Sequence, residues 1–170
     1  LLAPKGSLAT PALRAASRAT PAVSAEGTRG GVPRRKTALL LGNLNVGKTT
    51  LFNSACGRRL NVANYPGTSV AIGRGTCPGT GAEIGLIDTP GINGMLPASE
   101  DERISRDILL DERPDIVALV ADGKNLRKSL LLAAELAEYD LPLLIDINMI
   151  DEARQRGILI DTGRLSALFG

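Results

Sequence analysis

Short apolar runs alternate along the chain with stretches of helical period. Thr37–Leu41 is apolar throughout, as expected of a parallel strand buried on both faces. Val70–Cys77 and Glu83–Asp88 read as two short strands around Pro78-Gly79-Thr80-Gly81, a turn cluster that implies a hairpin. Asp115–Asp122 and Pro142–Asn148 are further strands. Helical period occupies Thr49 to about Gly57, then Ser99 to about Leu110, where Glu102 follows the capping Ser99 by three residues. It returns over Leu126–Tyr139, with leucines at 126, 130 and 136, and from Asp151 to Gly157, while Leu165–Phe169 begins an element of unassigned type. Arg58 to Thr68 shows neither period and is expected as a loop. Strands alternating with helices predict an α/β fold with a mostly parallel sheet, one antiparallel hairpin strand and helices on both faces. Ligands of such sheets sit beyond the carboxyl ends of the strands.

Composition narrows the chemistry. The formal charge of +2 divides unevenly: residues 1–36 hold seven Lys/Arg against one Glu, a balance of +6, and residues 37–170 hold thirteen against seventeen acids, a balance of −4. Residues 1–36, rich in Ala, Pro, Ser, Thr and Arg, are expected as a disordered basic leader. The globular remainder is mildly acidic, which argues against a general nucleic-acid surface. With no histidine and only two cysteines, Cys56 and Cys77, the usual catalytic triads and a Cys/His zinc site are excluded. The cysteines are expected as buried free thiols. No apolar run approaches the ~20 residues of a membrane helix, so this stretch is expected to be soluble.

Chemistry then falls to four loops, each following a strand. Gly42-Asn43-Leu44-Asn45-Val46-Gly47-Lys48-Thr49-Thr50 has the spacing G-x-x-x-x-G-K-[ST] between a strand and a helix. Its backbone N–H groups and the helix N-terminus suit an anion, Lys48 suits outer phosphates, and the Thr49 hydroxyl suits Mg²⁺. Asp88-Thr89-Pro90-Gly91 supplies a strand-end acid for Mg²⁺ and a glycine N–H for a terminal phosphate. In Asn148-Met149-Ile150-Asp151, the Asp151 carboxylate can accept from both N1–H and the exocyclic amine of guanine, a donor pair that adenine lacks. The usual lysine after the asparagine is Met149, whose apolar arm can pack on a base. In Tyr65-Pro66-Gly67-Thr68-Ser69, a hydroxyl of Thr68 or Ser69 can join Mg²⁺ while a terminal phosphate is present.

These motifs, with Asn64-Tyr65-Pro66-Gly67, Asp122-Gly123-Lys124-Asn125-Leu126 and Asn148-Met149-Ile150-Asp151-Glu152-Ala153, resemble the N-terminal G domain of FeoB, a ferrous-iron transporter family with a P-loop GTPase of the translation-factor class. The resemblance spans roughly residues 37–169. It implies a P-loop GTPase fold over residues 37–170, C-terminally incomplete because the S-A-type guanine loop would lie past Gly170. It implies GTP/GDP and Mg²⁺ as cofactors, K⁺ as an activator at Asn45, and Ser69 as the Mg²⁺ hydroxyl of the Pro-Gly loop. The nucleotide-facing set is Gly42, Asn43, Asn45, Val46, Gly47, Lys48, Thr49, Thr50, Thr68, Ser69, Asp88, Gly91, Asn148, Met149 and Asp151. Asn45, Lys48 and Gly91 carry the hydrolysis roles, and Thr49, Ser69 and Asp88 the metal. Ile92 stands where Ras-type enzymes carry a water-orienting glutamine, so slow hydrolysis is expected without K⁺ or a partner. Implied partners are a membrane transport domain in the longer protein and a homo-oligomer, with no nucleic acid. The implied place is the cytoplasmic face of the inner membrane. Two other readings share the loops: a soluble GTPase of ribosome or tRNA maturation, and a nucleotide-binding module with little turnover.

Overall fold

The structure is a computed structural model and describes residues 35–78 and 83–169. The expected leader therefore lies almost wholly outside the described residues, as does the tip of the hairpin turn. Six strands form one sheet: β1 (Thr37–Leu41), β2 (Leu60–Asn64), β3 (Ala71–Pro78), β4 (Glu83–Asp88), β5 (Ile116–Asp122) and β6 (Leu143–Asn148), in the spatial order β2-β3-β4-β1-β5-β6. β4, β1, β5 and β6 run parallel, while β3 is antiparallel to both β4 and β2. The helices are α1 (Lys48–Cys56), α2 (Glu100–Glu112), α3 (Leu126–Ala137), α4 (Ile150–Gln155) and α5 (Thr162–Phe169).

Strand periodicity divides the core. Odd positions of the central strands (Leu39, Leu41, Ile87, Val117, Leu119) meet Ile104, Ile108 and Leu109 of α2 and Leu132, Ala133 and Leu136 of α3. Even positions (Ala38, Leu40, Leu86, Ala118, Val120) meet Phe52 and Cys56 of α1 on the opposite face. The unbroken apolar runs in the sequence are the signature of this two-sided burial.

One expectation is corrected. Within the stretch read as a loop, residues 60–64 form β2, which pairs in full register with Ala71–Gly75 of β3. All five β2 residues are exposed. This edge strand is held by backbone hydrogen bonds rather than by a buried face, so it leaves no alternation to read. Cys56 is buried and Cys77 half-buried, both free.

The strand order reverses at β1: the chain fills positions on the β4 side first and crosses to β5 and β6 afterwards. The loops leaving β1, β4, β5 and β6 all emerge at one edge of the sheet, which is where such a switch point opens a crevice.

Candidate functional site

The loop after β1 is built for close backbone approach. Gly42 has φ +149°, and a Cβ there would lie 2.3 Å from the Val120 carbonyl oxygen. Gly47, at φ +92°, forms the left-handed entry to α1, and a Cβ there would lie 2.3 Å from Asn148 Nδ2. Asn45 also takes a left-handed φ of +59°, at the exposed tip. α1 has no acidic residue in its first turn, whereas α2 opens with Glu100, Asp101 and Glu102. The positive end of α1 and its unpaired N–H groups therefore remain available to an external anion. A cavity of about 380 Å³ lies over them, lined by Asn45, Val46, Gly47, Lys48, Thr49, Thr50 and Met149.

Lys48 is 7% exposed. Its Nζ donates to the carbonyls of Gly42 at 3.2 Å and Asn43 at 3.0 Å. Burial pulls its pKa down, and the nearby Asp88 charge opposes that pull. The Thr49 hydroxyl donates to Asp88 Oδ2 at 2.8 Å. Asp88 Oδ1 is buried and has no hydrogen-bond partner among the described residues. Burial raises the Asp88 pKa, against the Thr49 bond and the Lys48 charge. A buried, unpartnered carboxylate oxygen beside a threonine hydroxyl is a donor set suited to a hard divalent cation.

A second cavity, about 340 Å³, shares Thr49 and Asp88 with Ser69, Val70, Ala71, Thr89, Pro90 and Asp101. Ser69 thus lines the cavity that holds the metal candidates. Thr68 does not: its hydroxyl donates to the Tyr65 carbonyl at 3.0 Å and accepts from Val70 N at 3.2 Å, closing its own turn. Asp101, in the first turn of α2, also faces this cavity.

At the β6 end, Asn148 Nδ2 donates to the Val46 carbonyl at 3.0 Å, and its Oδ1 accepts from Met149 N at 2.8 Å. This asparagine ties the base-reading loop to the phosphate loop. Met149, in the left-handed region at φ +57°, caps α4. Asp151 follows, exposed, and its carboxylate makes no hydrogen bond or ion pair among the described residues. Asn43 points inward, is buried and does not line the phosphate cavity. Gly91 is buried beside the loop, with Leu44 packed against it. A separate cleft of about 220 Å³ between β6 and α5 is lined mainly by aliphatic side chains and holds no charged group, so it offers nothing to a polyphosphate.

The acid most deeply held near these loops is Glu102, 6% exposed. The Ala98 N–H and both N–H groups of Asn93 hold its pKa below the usual carboxylate range, against burial. A lowered folded pKa stabilises the fold fully above the unfolded value of about 4.3, and the contribution disappears as pH falls through the lower folded value. Glu102→Gln is therefore expected to lose less stability than the wild type between neutral pH and about pH 3. Urea melts across that range measure it, and equal acid slopes would count against the assignment.

A model of the FeoB_N family, described as ferrous iron transport protein B, matches residues 36–170. This chain belongs to the FeoB family. Among its relatives, the fusion protein of Fe(2+) transport protein A and Fe(2+) transporter FeoB from Porphyromonas gingivalis is 40% identical over 132 residues, and the Fe(2+) transporter FeoB of Escherichia coli is 35% identical over 141 residues. The matches cover 77% and 81% of this chain but only 16% and 18% of those transporters. Among solved structures, the G domain of the T. maritima FeoB iron transporter superposes with a TM-score of 0.74 at 39% identity, over 80% of this chain and 83% of that one. The cytosolic domain of that transporter in its GMPPNP form gives 0.75 at 40% identity, over 79% of this chain and 54% of that one. The cytosolic domain of L. pneumophila FeoB gives 0.76 at 37%, over 79% and 58%. The fold of this FeoB-family chain is therefore that of a P-loop GTPase G domain, and the match favours the transporter family over a soluble ribosome- or tRNA-maturation GTPase.

Proposed function

We propose that this chain binds GTP and GDP, hydrolyses GTP slowly, and acts as the cytosolic switch of a membrane transporter for Fe²⁺. The observation that carries the reading is that the loops bearing Lys48, the Thr49–Asp88 pair, Gly91 and Asp151 all leave the sheet at one edge, in a fold shared with FeoB G domains. Structures of the T. maritima relative in GMPPNP and GDP forms support a guanine nucleotide as the ligand.

Each residue then has a task its position suits. The N–H groups of the Gly42–Thr50 loop receive the phosphates. Lys48 exchanges its two backbone carbonyl acceptors for outer phosphate oxygens, which relieves a buried ammonium of weak partners. Thr49, Ser69 and Asp88 would hold Mg²⁺, which supplies charge neutralisation across the outer phosphates. Gly91 offers its N–H to the terminal phosphate. Loss of that phosphate frees the 65–69 loop, the on–off element of the cycle. Asn148 braces the base loop, Met149 covers the base, and Asp151 reads guanine.

Turnover is slow because the residue after Gly91 is Ile92, whose alkyl side chain cannot orient water. Ile92 is fully buried among Ile104, Ile108 and Leu132, so this position serves the core. Activation falls to K⁺ at Asn45, whose exposed amide lines the phosphate cavity. Phosphate release in matched KCl and NaCl is expected to be faster in K⁺, with Asn45→Ala removing the difference; equal rates in both salts would contradict the role. No helix among the described residues is long and apolar enough to cross a membrane. The membrane and Fe²⁺ functions therefore rest on the transporters of which this chain matches under a fifth. That relationship supports a transport domain as partner and a site at the cytoplasmic membrane face, with homo-oligomerisation and a residue 1–36 leader as further expectations.

A further inference from the structure

A set of buried bonds ties the phosphate loop to the segment after Asp88, and no nucleotide-facing role uses it. Asn43 is 4% exposed. Its Nδ2 donates to the Ile92 carbonyl at 3.2 Å and to Asn93 Oδ1 at 3.3 Å, and its Oδ1 accepts from Ser129 Oγ at 3.0 Å. The Ile92 N–H returns to the Gly42 carbonyl at 3.0 Å. Asn93 carries the connection onward: its N and Nδ2 donate to Glu102 Oε1 at 3.1 and 2.7 Å. From the same helix, the fully buried Ser105 donates to the Pro90 carbonyl at 3.0 Å.

Gly91 lies between these fixed points. The carbonyl before it is held by α2, and both backbone polar groups of the residue after it are held by the phosphate loop. A buried asparagine is costly unless its amide is satisfied, and here both of its ends are. The Gly42 carbonyl also accepts from Lys48 Nζ. The cation that would face the phosphates and the segment that carries Gly91 thus share one acceptor.

We propose that Asn43 and Asn93 are positioning residues that hold the Gly91 N–H in register with the phosphate loop and join that register to α2 through Glu102. The proposal rests on the guanine-nucleotide reading of the site. In that reading Gly91 faces only the terminal phosphate, so loosening it weakens a triphosphate and spares a diphosphate. A merely structural role for the same residues weakens both alike.

The test is titration of GDP and GMPPNP, with Mg²⁺, into the wild-type chain and the Asn93→Ala, Asn43→Ala and Ile108→Val variants. Asn93 is exposed, so Asn93→Ala keeps the fold even where Asn43→Ala fails to. Expected for Asn93→Ala is a loss of about ten-fold in GMPPNP affinity with GDP affinity held within about two-fold. Ile108→Val, a modest core truncation in α2, leaves the ratio of the two affinities at the wild-type value. A wild-type ratio in Asn93→Ala overturns the relay while leaving the nucleotide site standing, as does an equal loss for both nucleotides. Wild-type protein that binds neither nucleotide overturns the guanine reading and the relay with it.

Discussion

Lys48→Ala is expected to lower affinity for GTP and GDP by more than about 100-fold while the chain still folds. The ammonium is the one buried cation of the phosphate cavity, held by two carbonyls that are weak partners for a full charge. Phosphate oxygens are far better acceptors, and charge-assisted bonds of this kind contribute about 1.5–3 kcal/mol each. Loss of about 3 kcal/mol corresponds to roughly two decades in Kd. In the unliganded protein, the same change removes a desolvated charge whose pKa burial already depresses. The cost to stability is then small, because the lost bonds to Gly42 and Asn43 are offset by relief of that desolvation. Calorimetry with GDP and GTP reads the affinity, and circular dichroism reads the fold. An unchanged affinity would remove Lys48, and with it the phosphate-loop reading.

Asp151→Asn is expected to reverse base preference from guanine to xanthine. The Asp151 carboxylate is exposed and makes no bond among the described residues, so it is free to accept from a base. Guanine offers two donors on one edge, N1–H and the exocyclic amine. An asparagine amide puts a donor against that amine and leaves a mismatched pair, whereas xanthine has a carbonyl there that accepts the amide N–H. Sites built around hydrogen-bonded polar groups reject the mismatched ligand strongly, so GTP affinity should fall by about 100-fold or more. Xanthosine triphosphate should bind the variant more tightly than GTP does. Retained GTP preference in Asp151→Asn would show that another group reads the base.

The parts of this molecule that the sequence exposes are those with a one-dimensional signature. β1 and β5 are apolar runs because both faces of the sheet are covered there, and the glycine spacing around Lys48 survives in the fold because the backbone itself forms the site. β2 has no such signature, since an exposed edge strand needs only a partner's backbone. The inward turn of Asn43 is equally illegible, because a polar residue in a polar-looking motif gives no sign of which way it faces. Ser69 and Thr68 are adjacent hydroxyls that no pattern separates, and local turn chemistry occupies Thr68 while Ser69 lines the cavity with Asp88. Glu102 shows in sequence as a capping partner for Ser99, and the Ser99 Oγ does accept from the Glu102 N–H at 3.2 Å. Its carboxylate instead serves Ala98 and Asn93, a long-range use that spacing within one helix cannot reveal. Ile92 reads in sequence as a missing catalytic side chain and in the fold as core, and both follow from one fact: α2 and α3 close over that position.

The central claim is that the loops at the carboxyl edge of the sheet form a guanine-nucleotide site, and competition against a fluorescent GDP tests it most directly. GTP, ATP and xanthosine triphosphate are each titrated as competitors, with and without Mg²⁺. GTP is expected to displace the probe at far lower concentration than ATP or the xanthosine nucleotide, with the advantage of GTP growing when Mg²⁺ is present. Equal competition by GTP and ATP would contradict the site as described here.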